Sequence, residues 1–416
     1  MDLPGVPPEL LENLAAAAGT APIALVGGAV RDLLLHRVHQ DPWRGLPDLD
    51  LVVEGPPDAV ASAAVRVARE LESRSDGRLL AWREHGAYGT VELEMSMAGF
   101  GTFRLDVATA RRERYPVAAA NPVVSFGSLI DDLARRDFSI NAMALRLAKD
   151  GEATPPVLLD PHGGQADLRD RRLRFLHPAS LRDDPTRLLR AARYAARLGF
   201  QLETESLVQA QQTLKDWPWP WRPGDPPERA PAALGTRLRK ELELLLEREP
   251  WPQGLEALQG WGGLGLLDAA LQVDGSWRRR LRWADRLGLP RLMALIAAAD
   301  DPLRLALRLQ LPHRQQQLLA GLKELRARLE EASAADSPLT WTARLEAHGL
   351  PAEAVALALA VGVEPRRPLL RWWLRWRRIG PAISARELIE AGAPAGPALG
   401  ERLRRSRAGR LELERL

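Results

Sequence analysis

The chain changes its hydrophobic rhythm about a third of the way along. In the first part, short apolar runs alternate with amphipathic stretches. Residues 23–26 and 48–53 read as strands, because each is a brief apolar run next to Gly or Pro. Further strands are expected at 79–82, 90–95 and 103–107, with helices starting near 29–35 and over 58–71. This α/β pattern ends near Leu147. From residue 180 onward the period becomes helical. Leu188, Leu189, Ala192 and Ala195 share a helical face, and Gly199 supplies the stop. A second helix is expected over 203–216. The run WPWPWRPGDPPERAP at 217–231 carries too many prolines for a helix and is expected to be an extended loop. Helices resume at 233–247 and continue to the end, interrupted at Pro250, Pro290, Pro312, Pro351 and Pro381. No internal repeat is evident. The pattern therefore predicts an α/β head followed by an all-α remainder.

Composition narrows the chemistry. With 46% hydrophobic and 27% charged residues over 416 positions, the chain has the makeup of a globular protein of two or three domains. It has no cysteine, which excludes disulfides and thiolate metal sites. The first residues show neither a basic leader region nor a long apolar run, and no apolar stretch reaches membrane-span length. A cytoplasmic protein without membrane contact is expected. The net charge is only +4, but residues 365–416 hold 13 arginines against 5 acidic residues, a local net of +8. The remaining chain, with 45 basic and 49 acidic residues, is at −4. A basic end on a mildly acidic body suggests a polyanionic partner held at that end. The competing explanation is a set of solvated helices in an arginine-rich chain.

The densest chemistry lies between residues 25 and 54. Gly27 and Gly28 fall between a strand and a helix start. Glycines let backbone N–H groups approach phosphates, and a helix N-terminus favours an anion. Arg31 is placed to reach phosphate oxygens, and Asp32 to orient Arg31 or cap the turn. About twenty residues later, Asp48 and Asp50 alternate with Leu49 and Leu51. Side chains at i and i+2 of a strand share a face, so the two carboxylates project together. Two such carboxylates repel unless a cation lies between them, and Mg²⁺ suits oxygen ligands while leaving positions open for phosphate. Asp106, in the strand FRLDVAT, is the candidate third carboxylate. Either motif alone is common. In this order they point to nucleotidyl transfer, with Asp48 and Asp50 as metal ligands and Asp48, Asp50 and Asp106 as catalytic carboxylates.

Four further blocks follow: RRDFSINAMAL, DPHGGQADLRDRRLRFL, RDDPTRLLRAARYAARLGF and TRLRKELELLL, beginning at Arg135, Asp160, Arg182 and Thr236. In content and order, the five blocks resemble the bacterial class II tRNA nucleotidyltransferases. That CCA-adding group also includes bacterial poly(A) polymerases. Beyond Leu246 only the helical character is similar. The resemblance implies a polymerase-β-like palm as a nucleotidyltransferase head (1–147), a nucleotide-selecting, RNA-binding neck (148–249) and a tRNA-binding body and tail (250–416). It implies that Arg135, Arg136 and Asp137 stand near the triphosphate and sugar. For Asp137 and Asn141, bracing of the palm is the alternative role.

The resemblance also implies CTP and ATP as substrates and the 3′ end of tRNA as acceptor, with pyrophosphate released. No nucleic-acid template is used, so the protein must read the base edge. Cytosine and adenine both present an exocyclic amine beside a ring-nitrogen acceptor, which a carboxylate and a guanidinium match. The matching residues are Asp183, Asp184 and Arg187. If they lie on one helix, Asp184 and Arg187 share a face, and an ordinary salt bridge is the alternative. Asp183 replaces the family's usual glutamate. Arg190 and Arg193 continue the face, towards phosphates or acidic neighbours.

The segment 110–134 has prolines at 116 and 122 and no glycine-rich hinge. It is similar to loops of lineages that divide the work between two enzymes, which favours CC addition with a separate A-adding partner. Full CCA addition and poly(A) polymerase activity are the alternatives. The tryptophans of 217–231 either stack on RNA or, as preferred here, pack the loop down. In 366–378, a buried stripe of Leu369, Trp373 and Trp376 is expected beneath solvated arginines.

Overall fold

The computed structural model describes residues 4, 14, 22–45, 48–74, 77–85, 89–97, 101–147, 156–330, 332–333 and 335–414. The chain forms two compact units. One contains residues 1–222 with 231–233 and 253–261, and the other contains 223–230, 234–252 and 262–416.

The first unit is built on a seven-stranded mixed sheet. Its strands are β1 (Ile23–Val26), β2 (Leu49–Val53), β3 (Arg78–His85), β4 (Thr90–Met97), β5 (Gly101–Thr109), β8 (Ala144–Arg146) and β9 (Val157–Leu159), in the order β3-β4-β5-β2-β1-β8-β9. Strands β2 and β5 run parallel, whereas the other neighbours are antiparallel. The alternation read from the sequence explains the faces. In β4, Val91, Leu93 and Met95 are buried, while Glu92 and Glu94 lie on the opposite side. Helix α1 (Gly28–Arg37) buries Ala29, Val30, Leu33, Leu34 and Leu35. Helix α2 (Pro57–Arg74) packs on β4 and β5 through Val60, Ala63, Ala64 and Val67. Segment 110–134 is a hairpin of β6 (Arg111–Arg114) and β7 (Val123–Phe126), outside the main sheet, followed by α3 (Leu129–Ala134). Ser128 and Asp131 form a capping box at the start of α3.

The chain then runs through a short turn (Ser139–Asn141), α4 (Gly164–Arg169), α5 (Ser180–Asp183) and α6 (Thr186–Leu198). Gly199, at φ 72°, ends α6 as the sequence predicts. The fourth block is not one continuous helix. Asp184 is extended at φ −143° and ψ 96° and interrupts it. The cause is Pro185, whose ring pushes the preceding residue out of the helical region.

Among the described residues of the second unit, every regular element is a helix. The helix Ala352–Val361, apolar apart from Glu353, packs against Trp277–Leu287 and His313–Leu329. Near the end, Leu369, Trp372 and Trp376 are buried, and Trp373 is only half-buried. The stripe runs through Leu369, Trp372 and Trp376, at i, i+3 and i+7, in place of the expected Leu369, Trp373 and Trp376; the helix stops at Leu374 and Trp376 begins a tighter turn, Trp376–Arg378. Arg377 stacks on Trp373 at 3.6 Å. Among the described residues, no helix is long and apolar enough to cross a membrane.

Candidate active site

Every candidate catalytic, metal-binding or nucleotide-binding residue lies in the first unit. The chain leaves β1, turns at Gly27 and enters α1. Gly27 adopts φ 71° and ψ −130°, a conformation open to glycine. Space is also tight there. A Cβ on Gly27 would stand 2.9 Å from Arg136 Nη1 and 3.5 Å from Asp50 Oδ2. The turn, the strand carboxylate and the second block's arginine therefore converge on one point.

The carboxylates are set by strand register. Asp50 lies opposite Asp106 across the parallel pair β2–β5, and Asp106 lies opposite Glu92 across β5–β4. Asp48 precedes β2 and is exposed, and Asp50 is half-buried. Leu49, Leu51 and Val53 are fully buried and pin the strand. Burial, opposed by Arg136 and reinforced by Asp106 and Asp48, pushes the Asp50 carboxyl up to about 6. Asp106 is also raised, first by burial and then by Glu92 and Asp48. Among the described residues, no three acidic or histidine side chains are gathered closely enough to hold an ion unaided. An oxygen-only donor set with unrelieved mutual repulsion fits a hydrated Mg²⁺ that takes further ligands from phosphate.

Asp132, fully buried on α3, organises the second block. Its two oxygens accept from Arg135 Nη2 at 2.7 Å and Arg136 Nη2 at 2.9 Å. Arg135 also reaches Glu113 at 3.1 Å. Arg136 Nε is buried with no partner. Asp137 and Asn141 belong to a chain of bonds. Arg31 Nη1 donates to Asn141 Oδ1 at 2.8 Å, Asn141 Nδ2 donates to Asp137 Oδ1 at 2.9 Å, and Arg190 Nε donates to Asp137 Oδ2 at 2.8 Å. Burial works against the Asp137 charge, but Arg190 and Asn141 hold its carboxyl below the usual range. Arg31 is also paired with Asp32 at 2.8 Å and lies over the Tyr194 ring at 5.1 Å. The Arg31 guanidinium is buried and turned into this network.

In the fourth block, Asp184 Oδ1 accepts from Thr186 N at 3.0 Å and Thr186 Oγ1 at 2.6 Å, capping the start of α6. Buried Arg187 donates to the carbonyl of Arg135 at 3.1 Å, and its Nη1 lies 3.4 Å from His177 Nε2. Burial, and then Arg187, lowers the His177 imidazole to about 4. The Asp183 carboxyl is half-buried and raised by that burial, against the pull of Arg187 and Arg182. Arg190 and Arg193 follow on α6, both half-buried. The second and fourth blocks thus meet at Arg135–Arg187 and Asp137–Arg190.

Sequence reasoning passed over Asp132, Glu92, His177 and Tyr194. Asp132 carried a legible signal, since it stands three and four residues before the paired arginines on a helix. The others are brought in only by tertiary packing.

Residues 23–174 match the model of the poly A polymerase head domain family. The chain is 39% identical over 318 residues to a CC-adding tRNA nucleotidyltransferase of Deinococcus radiodurans, an alignment covering 74% of this chain and 73% of that one. It is 41% identical over 192 residues to an A-adding tRNA nucleotidyltransferase of Aquifex aeolicus, covering 46% of this chain and 20% of that one. Its fold is similar to that of a CCA-adding enzyme in complex with CTP, with a TM-score of 0.69, 25% identity, and coverage of 99% of this chain and 93% of the other.

Proposed function

This chain belongs to the tRNA nucleotidyltransferase family, and we propose that it adds CC to the 3′ end of tRNA from CTP, leaving the terminal A to a separate enzyme. The observation carrying the chemistry is the register of Asp50 beside Asp106, with Asp48 two residues away. The CC assignment is supported by similarity to a CC-adding relative over about three quarters of both chains. Prolines 116 and 122 in the hairpin segment also support it.

In this reading, Asp48 and Asp50 hold Mg²⁺, which supplies charge neutralisation for the triphosphate and for the attacking oxygen. The tRNA 3′-hydroxyl oxygen forms a bond to the α-phosphorus of CTP, the bond to the β-phosphate oxygen breaks, and pyrophosphate leaves. Asp106 orients the hydroxyl and takes its proton at a carboxylate oxygen. The Gly27–Gly28 turn presents the start of α1 to the triphosphate, and Arg136 provides a cation beside Asp50. Arg31, Asp137, Asn141 and Arg190 hold the turn, the second block and α6 in register. Asp184 accepts from the cytosine amine while Arg187 donates to its ring nitrogen, and Asp183 shapes the same edge. Uracil places a carbonyl and an N–H where these groups require the reverse. The neck follows the head along the chain, and the arginine-rich tail holds the tRNA backbone. A cytoplasmic location is consistent with these substrates.

The test uses tRNA transcripts ending at the discriminator base, after C and after CC, each incubated with Mg²⁺ and CTP, ATP or both. Growth that stops at CC with ATP present is expected. A complete CCA end would overturn the division of labour, and long ATP-only tails would move the enzyme to poly(A) synthesis.

A further inference from the structure

The tryptophan-proline loop has no role in the reaction as read so far, yet it reaches the base-selecting segment. Helix Thr204–Asp216 ends at Trp217, and the prolines at 218 and 220 keep the following residues out of a helix. The loop closes on itself. Trp217 Nε1 donates to the Trp221 carbonyl at 2.6 Å, and the Trp217 and Trp219 rings meet edge to face with centroids 5.0 Å apart. Trp219 and Trp221 are 3% and 4% exposed, which leaves them no face for stacking on RNA. The Trp219 indole N–H is directed at one acceptor, the backbone carbonyl of Arg182, at 3.0 Å.

That carbonyl is at a weak point. Helix α5 is only four residues long, Ser180–Asp183, and the carbonyls at its end have no acceptor role within the helix. Two donors from elsewhere take them. Trp219 Nε1 binds the carbonyl of Arg182, and Ala119 N binds that of Asp183 at 3.2 Å. Immediately afterwards Asp184 turns extended and caps α6. The direction of both acidic side chains is thus set by how the end of α5 is held.

We propose that Trp219 is a positioning residue for nucleotide selection: its indole N–H fixes the end of α5, and through it the placement of Asp183 and Asp184 against the incoming base. The inference rests on the reading that Asp184 and Arg187 recognise the base. Losing the bond leaves the Arg182 carbonyl without its indole donor and lets the segment shift, while the ring packing can persist in a phenyl group.

The experiment compares the full-length wild type with Trp219→Phe, Trp217→Phe and Arg187→Ala. It measures kcat and KM for CTP and for UTP on a transcript ending at the discriminator base, with tRNA affinity as a control. For Trp219→Phe, discrimination between CTP and UTP is expected to fall about fivefold, the worth of one hydrogen bond. The loss should appear mainly in KM for CTP, with tRNA affinity unchanged. Trp217→Phe removes an indole N–H from the same loop and should keep wild-type discrimination. The ratio does not depend on the folded fraction, so a less stable variant still reports. Unchanged discrimination in Trp219→Phe, alongside its loss in Arg187→Ala, overturns the proposal alone. Equal loss in Trp217→Phe also overturns it, because general loop packing would then suffice. Retained discrimination in Arg187→Ala would instead remove the base-selection reading beneath it.

Discussion

Asp50 is the side chain in which burial and function oppose each other most directly. Its strand neighbours are fully buried, and its own carboxyl is pushed up to about 6 by that burial and by Asp106 and Asp48. A divalent ion relieves this repulsion and uses the carboxylate as a ligand. Asp50→Asn keeps the shape and removes the charge. It should lower kcat by at least about 10³-fold, the equivalent of several kcal/mol of transition-state stabilisation, while tRNA affinity stays near wild type. Single-turnover incorporation and a filter-binding measurement separate the two. His177 gives a pH effect on stability. Unfolded, it protonates near its ordinary 6.5, whereas in the fold burial and Arg187 hold it neutral down to about 4. Its contribution to stability is therefore complete above the ordinary value and is lost as pH falls through that window. Urea midpoints at acid and neutral pH should show the wild type losing more stability on acidification than His177→Gln.

At the scale of elements, the site depends on how closely the second and third blocks pack. Ser139 Oγ donates to Asp167 Oδ2, which also accepts from Arg174 Nε at 2.9 Å. Helix α4 comes so near the Ser139 turn that a Cβ on Gly164 would stand 2.5 Å from the Ser139 carbonyl and 2.9 Å from Met143 Sδ. Gly164→Ala should therefore destabilise the fold by about 1–3 kcal/mol, because backbone has to move, and chemical denaturation measures it. The strands were legible because β1, β2 and β4 carry their own periodicity and the Gly27 turn its own punctuation. The head-then-helices order followed from the change of period. The break at Asp184 was overlooked despite the visible Pro185, since the helical pattern on either side of the proline is continuous. Trp372 took the buried place assigned to Trp373 because Leu369, Trp372 and Trp376, at i, i+3 and i+7, form the helical stripe that faces the core. The carboxylates were found by local alternation. The Arg31–Asn141–Asp137–Arg190 chain links residues more than a hundred positions apart, and no local spacing encodes it.

At the scale of the whole molecule, charge and chemistry sit at opposite ends of the chain. The carboxylates and selecting residues lie within the first half, whereas residues 365–416 carry a net of +8. Several of those arginines are already engaged. Arg407 is paired with Glu346 at 2.6 Å, Arg375 with Glu414 at 2.7 Å, and Arg366 lies over Trp283 at 4.2 Å. Arg402 and Arg404 are exposed on the helix Pro397–Glu412, and Arg405 is exposed beside Glu401. These three exposed arginines can reach RNA phosphates without dismantling the fold. Phosphate contacts displace counterions, so each one lost should flatten the dependence of log affinity on log salt by about 0.7–0.9. The triple replacement of Arg402, Arg404 and Arg405 by alanine should weaken tRNA binding at low salt and reduce the salt slope by up to about 2–3. Incorporation at saturating tRNA should stay close to wild type, since none of these side chains belongs to the unit that holds Asp50 and Arg187. Titrations at several salt concentrations, run beside single-nucleotide extension, decide the matter. An unchanged slope would mean that these arginines serve only as a solvated helix face, and a fall in saturated rate would mean that the tail does more than hold the RNA.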